Sequence, residues 1–180
     1  MDSNGRLKKY LEDTLDKAFI YSLMLYQAKV YNNRLKMCFK LPLILTGAAM
    51  SIVNSNFEGD VMKLVNIIFN IGSSVILSIS IFLAFEAKEQ EFANAKKKFI
   101  KLSTEIEQKL ISSNQLEESY VFACIEKYNT IEENLDYQIP QYILSRTRKK
   151  WATKKALPII INGIEKERSN VGQNQEIVVL

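Results

Sequence analysis

A chain of 180 residues with a formal charge of +4 and no histidine is sized for one domain, or for one membrane hairpin with helical extensions. Without histidine the usual nucleophile triads, imidazole acid–base catalysis and most zinc sites are excluded, and the sequence has neither a Walker loop nor a Rossmann glycine pattern. Six Gly and three Pro are too few for a turn-rich β architecture and favour long helices.

The basic excess is mostly lysine, spread along helical segments as solvated faces and membrane flanks, so no nucleic-acid partner is expected. Cys38 and Cys124 fall in different segments without metal-ligand spacing, which predicts neither a disulfide framework nor a metal site. The first five residues, Met1 to Gly5, are polar, so no cleavable signal is expected and insertion must be driven from within the chain.

Residues 1–40 read as one long amphipathic helix, with Leu7, Leu11, Leu15, Phe19, Leu23, Tyr26 and Val30 at helical spacing. Residues 41–85 follow as a transmembrane hairpin. Its first span, 41–57, carries no charge over 17 residues and reaches about 25 Å, which Phe39 and a snorkelling Lys40 can extend. Pro42 stands where the amphipathic helix would bend into the membrane. The second span, 64–85, is 22 uncharged residues, long enough to cross with some tilt.

On a helical wheel Asn66, Asn70, Ser73, Ser74, Ser78 and Ser80 share one arc of about 160°, opposite an apolar arc that includes Ile68, Ile71, Val75 and Phe82. Two uses of the polar arc stay open. Gly47 with Ser51, and Ser74 with Ser78, are small-residue pairs that let two helices approach closely. Alternatively Asn66, Asn70 and Ser73 form a polar interface or line an oligomeric pore, although no intramembrane charge accompanies them.

The loop between the spans holds one lysine, Lys63. Lys29, Arg34, Lys36 and Lys40 precede the first span and Lys88, Lys96, Lys97, Lys98 and Lys101 follow the second. The positive-inside rule then places both termini on the cytosolic or equivalent side.

Residues 86–166 read as a post-membrane helical domain packed on that same side. A heptad of Phe85, Phe92, Phe99 and Ile106, with Ala95, Leu102 and Leu110 near the intervening positions, predicts pairing with the N-terminal helix. Ser112 to Gln115 should end this helix and cap the next, over about 115–135 with Leu116, Tyr120, Cys124, Tyr128, Ile131 and Leu135 on one face. Between Pro140 and Pro158 lies a basic segment in which Arg148, Lys149, Lys150 and Trp151 are candidates for anionic-lipid contact. Residues 167–180 should be an extended tail.

The fold class expected is therefore all-α, a two-span hairpin with long amphipathic helices on one side of the membrane. The acidic residues lie beside lysines on helix faces, so no enzyme, catalytic residue or cofactor is expected.

The order of parts, Tyr26 to Asn33, then Leu41-Pro42-Leu43-Ile44-Leu45-Thr46-Gly47, a short loop, a second span ending Phe85-Glu86-Ala87-Lys88, acidic helices and Ile139-Pro140, resembles the SLATT-like two-span membrane proteins of nucleocytoplasmic large DNA viruses. The resemblance covers residues 20–165. Relatives often carry a histidine near the first span and another after the second; this chain has neither. The resemblance implies a structural component of a virion inner membrane or minor capsid layer, or of a host internal membrane. Its partners would be the lipid bilayer and neighbouring capsid or membrane proteins in a homo- or hetero-oligomer. The competing implication is an oligomeric pore-forming membrane effector.

Overall fold

The computed structural model describes residues 3–56, 59–113, 115–151 and 156–161, with main chain only at 54–56. Among these residues there are five α-helices and no strand: α1 Ser3–Asn56, α2 Asp60–Phe82, α3 Phe85–Ser112, α4 Glu118–Glu133 and α5 Gln141–Trp151. The expected tail at 167–180, together with Phe57, Glu58, Asn114, Lys154 and Lys155, lies outside the described residues. The chain divides into two compact units, Met1–Ala28 with Glu91–Leu180, and Lys29–Gln90.

The first unit has a closed apolar core. From α1 come Leu11, Ala18, Tyr21, Leu25 and Ala28, from α3 Phe92, Phe99, Leu102 and Ile106, from α4 Cys124 and Tyr128, and from α5 Ile143 and Leu144. Tyr21 stacks on Phe99 at 4.7 Å between ring centroids, and Tyr128 closes on Phe99 at 5.4 Å. The heptad residues of α3 are thus buried against the N-terminal helix. The face of α1 differs from the expected one: Leu11, Thr14, Ala18, Tyr21, Leu25 and Ala28 are buried, a 3-4 alternation, while Phe19 and Tyr26 are exposed.

Among the described residues the expected cap on α4 is not formed, although α3 does end at Ser112. α4 begins only at Glu118, its N-cap Glu117 makes no side-chain bond, and Gln115 lies before the first turn. Leu116 N–H instead donates to Asn4 Oδ1 at 3.2 Å, so the crossing strand of chain is tied to the start of α1.

In the second unit, the amphipathic segment and the first apolar stretch are one helix rather than two, and α1 carries Pro42 in its interior. Thr46 Oγ1 donates back to its own helix, to Pro42 O at 2.8 Å and Leu43 O at 3.1 Å. α2 starts at Asp60, whose carboxylate suits a helix N-terminus and pairs with Lys63 at 2.8 Å.

α2 also ends three residues short of the expected limit of the second span. Leu83 N–H reaches Ile79 O and Ala84 N–H reaches Ile81 O, which tightens the last turn. Ala84 then adopts φ 50, the left-handed region, before α3 begins at Phe85.

α1 and α2 are long and apolar enough to cross a membrane, and no residue in the most apolar stretch of either is buried.

Candidate functional site

The second unit gathers most of the residues that the sequence singles out. Along α1 the partly shielded side chains recur as Phe39, Leu43, Thr46, Met50 and Val53, and along α2 as Met62, Asn66, Ser73, Ile76 and Ser80. Each set follows the 3-4 spacing of a single stripe. Apart from Val65 and the end of the second stretch at 83–85, the other described side chains of both apolar stretches are exposed.

This stripe divides the polar arc of α2. Asn66, Ser73 and Ser80 lie on the shielded side, whereas Asn70, Ser74 and Ser78 are exposed. Ser74 Oγ donates to Asn70 O and Ser78 Oγ to Ser74 O, each at 2.8 Å, so both hydroxyl protons are spent on their own helix. Asn70, Ser74 and Ser78 with Ile71, Val75 and Ile79 line a shallow groove along the outside of α2. At 100° per residue the groove is centred about 180° round the helix from the shielded stripe.

The small-residue pairs expected to bring the spans together are therefore not in the shielded stripe. Gly47 and Ser51 are exposed, and a Cβ added at Gly47 would meet nothing within 4 Å.

Just outside the apolar stretches, α1 and α3 are joined by a ladder that sequence reasoning missed. Lys36 Nζ donates to Glu89 Oε2 at 2.8 Å, Lys40 Nζ to Glu86 Oε1 at 2.7 Å, and the Phe39 and Phe85 rings meet at 5.5 Å. The Lys36–Glu89 pair is the better shielded, with both side chains about one-fifth exposed. The hydrogen bond to Glu89 raises the Lys36 pKa against the opposing cost of burial, and the bond from Lys40 lowers that of Glu86. The signal was available: two lysines four apart face two glutamates three apart, with a phenylalanine beside each pair.

In the first unit, the basic segment only partly matches a lipid-contact surface. Lys149 and Lys150 are exposed and Arg148 is half-buried. Trp151, expected as an interfacial anchor, is half-buried edge-on against Phe19 at 6.3 Å, and Lys150 Nζ lies 5.3 Å from its ring. That ring is committed to the protein's own packing.

Cys124 is buried and Cys38 exposed. Burial pushes the Cys124 thiol up, keeping it protonated and unreactive at neutral pH. Burial likewise raises the Glu132 carboxyl against the opposing effects of Tyr128 and Lys17. Among the described residues no group of three or more His, Cys, Asp or Glu is placed to hold a metal ion.

No protein-family model, curated protein or solved structure matches the chain.

Proposed function

We propose that the chain crosses a bilayer twice as a helical hairpin, α1 against α2, and serves as a structural anchor between that membrane and neighbouring proteins. The observation that carries the membrane step is exposure: Ile44, Leu45, Ile52, Ile68, Ile71 and Ile81 are each at least 60% exposed. Apolar surface on this scale is unfavourable in water at about 25 cal/mol per Å² and finds its natural solvent in lipid tails. The two stripes of partly shielded residues, one on α1 through Thr46 and Met50 and one on α2 through Ser73 and Ile76, support hairpin packing.

The lysine-rich flanks support cytosolic termini. The acidic partners of Lys36 and Lys40 do not weaken that assignment, because the orientation bias follows Lys and Arg rather than net charge. A structural role is supported by the first unit, whose side chains are spent on a packed helical core. The virion inner-membrane or minor-capsid setting, with capsid or membrane proteins as partners, rests on the SLATT-like resemblance. A pore-forming effector is the second reading, and the outward Asn70, Ser74 and Ser78 favour it; Asn66 and Ser73, turned to the shielded side, do not.

The test is expression in a cell with an accessible internal membrane, followed by alkaline washing and thiol labelling. The chain should stay in the washed membrane. An impermeant thiol reagent should reach Cys38 from the cytosolic side and Val61→Cys only from the other. Extraction by the wash, or labelling of both from one side, would refute the hairpin. Capsid proteins co-purifying from the native source would support the anchor, and ion conductance by the reconstituted chain would favour the pore.

A further inference from the structure

The outer groove of α2 presents a problem that the hairpin itself does not solve. Asn70 lies ten residues after Asp60 and twelve before Phe82, the middle of α2. Its side chain is exposed, and the Ser74 hydroxyl donates to its main-chain carbonyl, not to its amide. Among the described residues the amide's two donors and its acceptor have no partner. α1 supplies none: Asn70 lies about 40° round the helix from the shielded Asn66, on the exposed edge of the groove. In hydrocarbon an unsatisfied amide costs several kcal/mol, so this group requires an occupant of the groove.

We propose that the occupant is a second copy of this chain, α2 against α2, with the Asn70 amides paired across the interface. The inference rests on the membrane-spanning hairpin proposed above. Three features fit a like copy. An asparagine amide is self-complementary, donor and acceptor on one group, so two related by a two-fold axis satisfy each other. Ser74 and Ser78 have turned their protons to their own helix, which leaves their oxygens as acceptors for the partner's amide N–H. Their small side chains, between the larger Ile71, Val75 and Ile79, leave the groove open to a facing ridge. Water and lipid headgroups, the other sources of hydrogen bonds, are absent from the depth at which Asn70 sits.

The experiment uses the full chain purified in detergent and labelled at Cys38, the exposed thiol, with separate donor and acceptor dyes. Both preparations are reconstituted together into phosphatidylcholine vesicles over a range of protein-to-lipid ratios, and energy transfer is read after flotation. Wild-type chain should float with the vesicles and show transfer above the level of random proximity. Asn70→Leu should still float and remain helical, but need a roughly 3- to 30-fold higher density for the same transfer. Asn70→Gln should recover most of the association. If Asn70→Leu fails to fold, Ser74→Leu, which fills the groove, should weaken association instead.

Random-level transfer by floating wild-type chain, or unchanged transfer in folded Asn70→Leu, would overturn the self-association and leave the hairpin standing. Wild-type chain that does not float would remove the membrane reading and this inference with it.

Discussion

Lys40 holds Glu86 at 2.7 Å next to the point where the Phe39 and Phe85 rings meet at 5.5 Å, so charge and aromatic packing tie α1 to α3 at the same level. One turn further from the apolar stretches the shielded Lys36–Glu89 pair repeats the tie. Replacing Lys36 by Met and Glu89 by Gln, singly and together, should give a coupling energy below about 1 kcal/mol that shrinks with added salt. Chemical unfolding in detergent measures the cycle. A coupling of zero at low salt would show that the pair does not hold the helices.

The same ladder sets a pH window. Lys36 has its pKa raised above the ordinary 10.5, so its contribution is complete below that value and is lost as pH rises through the higher folded one. Glu86 has its pKa lowered below the ordinary 4.5, so its contribution is present above that value and is lost as pH falls through the lower folded one. Stability of the junction should be flat between the two and decline outside. Thermal scans of wild type and Glu86→Gln from acid to alkaline pH should converge at the acid end, as Glu86 takes up its proton.

Glu132 should behave in the opposite sense. Its folded pKa is raised, mainly by burial, so the folded state binds the proton more readily than the unfolded chain and stability falls as pH rises past 4.5. Glu132→Gln keeps the shape and removes the charge. It should raise the melting temperature at neutral pH and flatten the decline. A lower melting temperature at pH 7 would mean that the ionised carboxylate is needed by Tyr128 or Lys17.

At the break between α2 and α3, Ala84 holds φ 50, a conformation costing a non-glycine residue about 1 to 2 kcal/mol. Ala84→Gly relieves that strain but adds freedom to the unfolded chain, leaving a net gain of up to about 1 kcal/mol. Ala84→Val should lose more than about 1 kcal/mol, since a β-branched residue tolerates positive φ poorly. Equal stability of the two variants would argue for a continuous helix here.

All-helical structure was legible because the periodicity is long and the breakers few. The face of α1 was not. Leu7, Leu11, Leu15, Phe19 and Leu23 step by four, and four residues turn a helix by about 400°, so the row drifts across the surface. The buried row steps by three and four and passes through Thr14, Ala18 and Ala28, which do not register as an apolar stripe. The division within the polar arc of α2 was not legible either: composition groups Asn66 with Asn70, whereas the structure leaves the first partly shielded and the second exposed. The ladder of Lys36, Lys40, Glu86 and Glu89 joins residues about fifty apart in sequence, a separation that local pattern does not see.

The division of small residues gives the sharpest contrast between sequence and structure. From spacing alone, Gly47→Leu should force the spans apart. In the structure a Cβ at Gly47 meets nothing within 4 Å, and leucine is a better helix former than glycine by about 0.8 kcal/mol. Gly47→Leu should therefore leave the hairpin folded with stability unchanged or raised by up to about 1 kcal/mol. Ser73 lies on the partly shielded stripe of α2, where, with the hairpin packed as proposed, an isobutyl group would displace side chains of α1. Ser73→Leu should lose about 1 to 3 kcal/mol by overpacking. Both variants would be unfolded in mixed micelles at protein densities low enough to keep the chain monomeric, so that contacts between copies do not enter. If Gly47→Leu were the damaging change and Ser73→Leu the silent one, α1 and α2 would meet through their small-residue faces, and the shielded stripe would not be the seam.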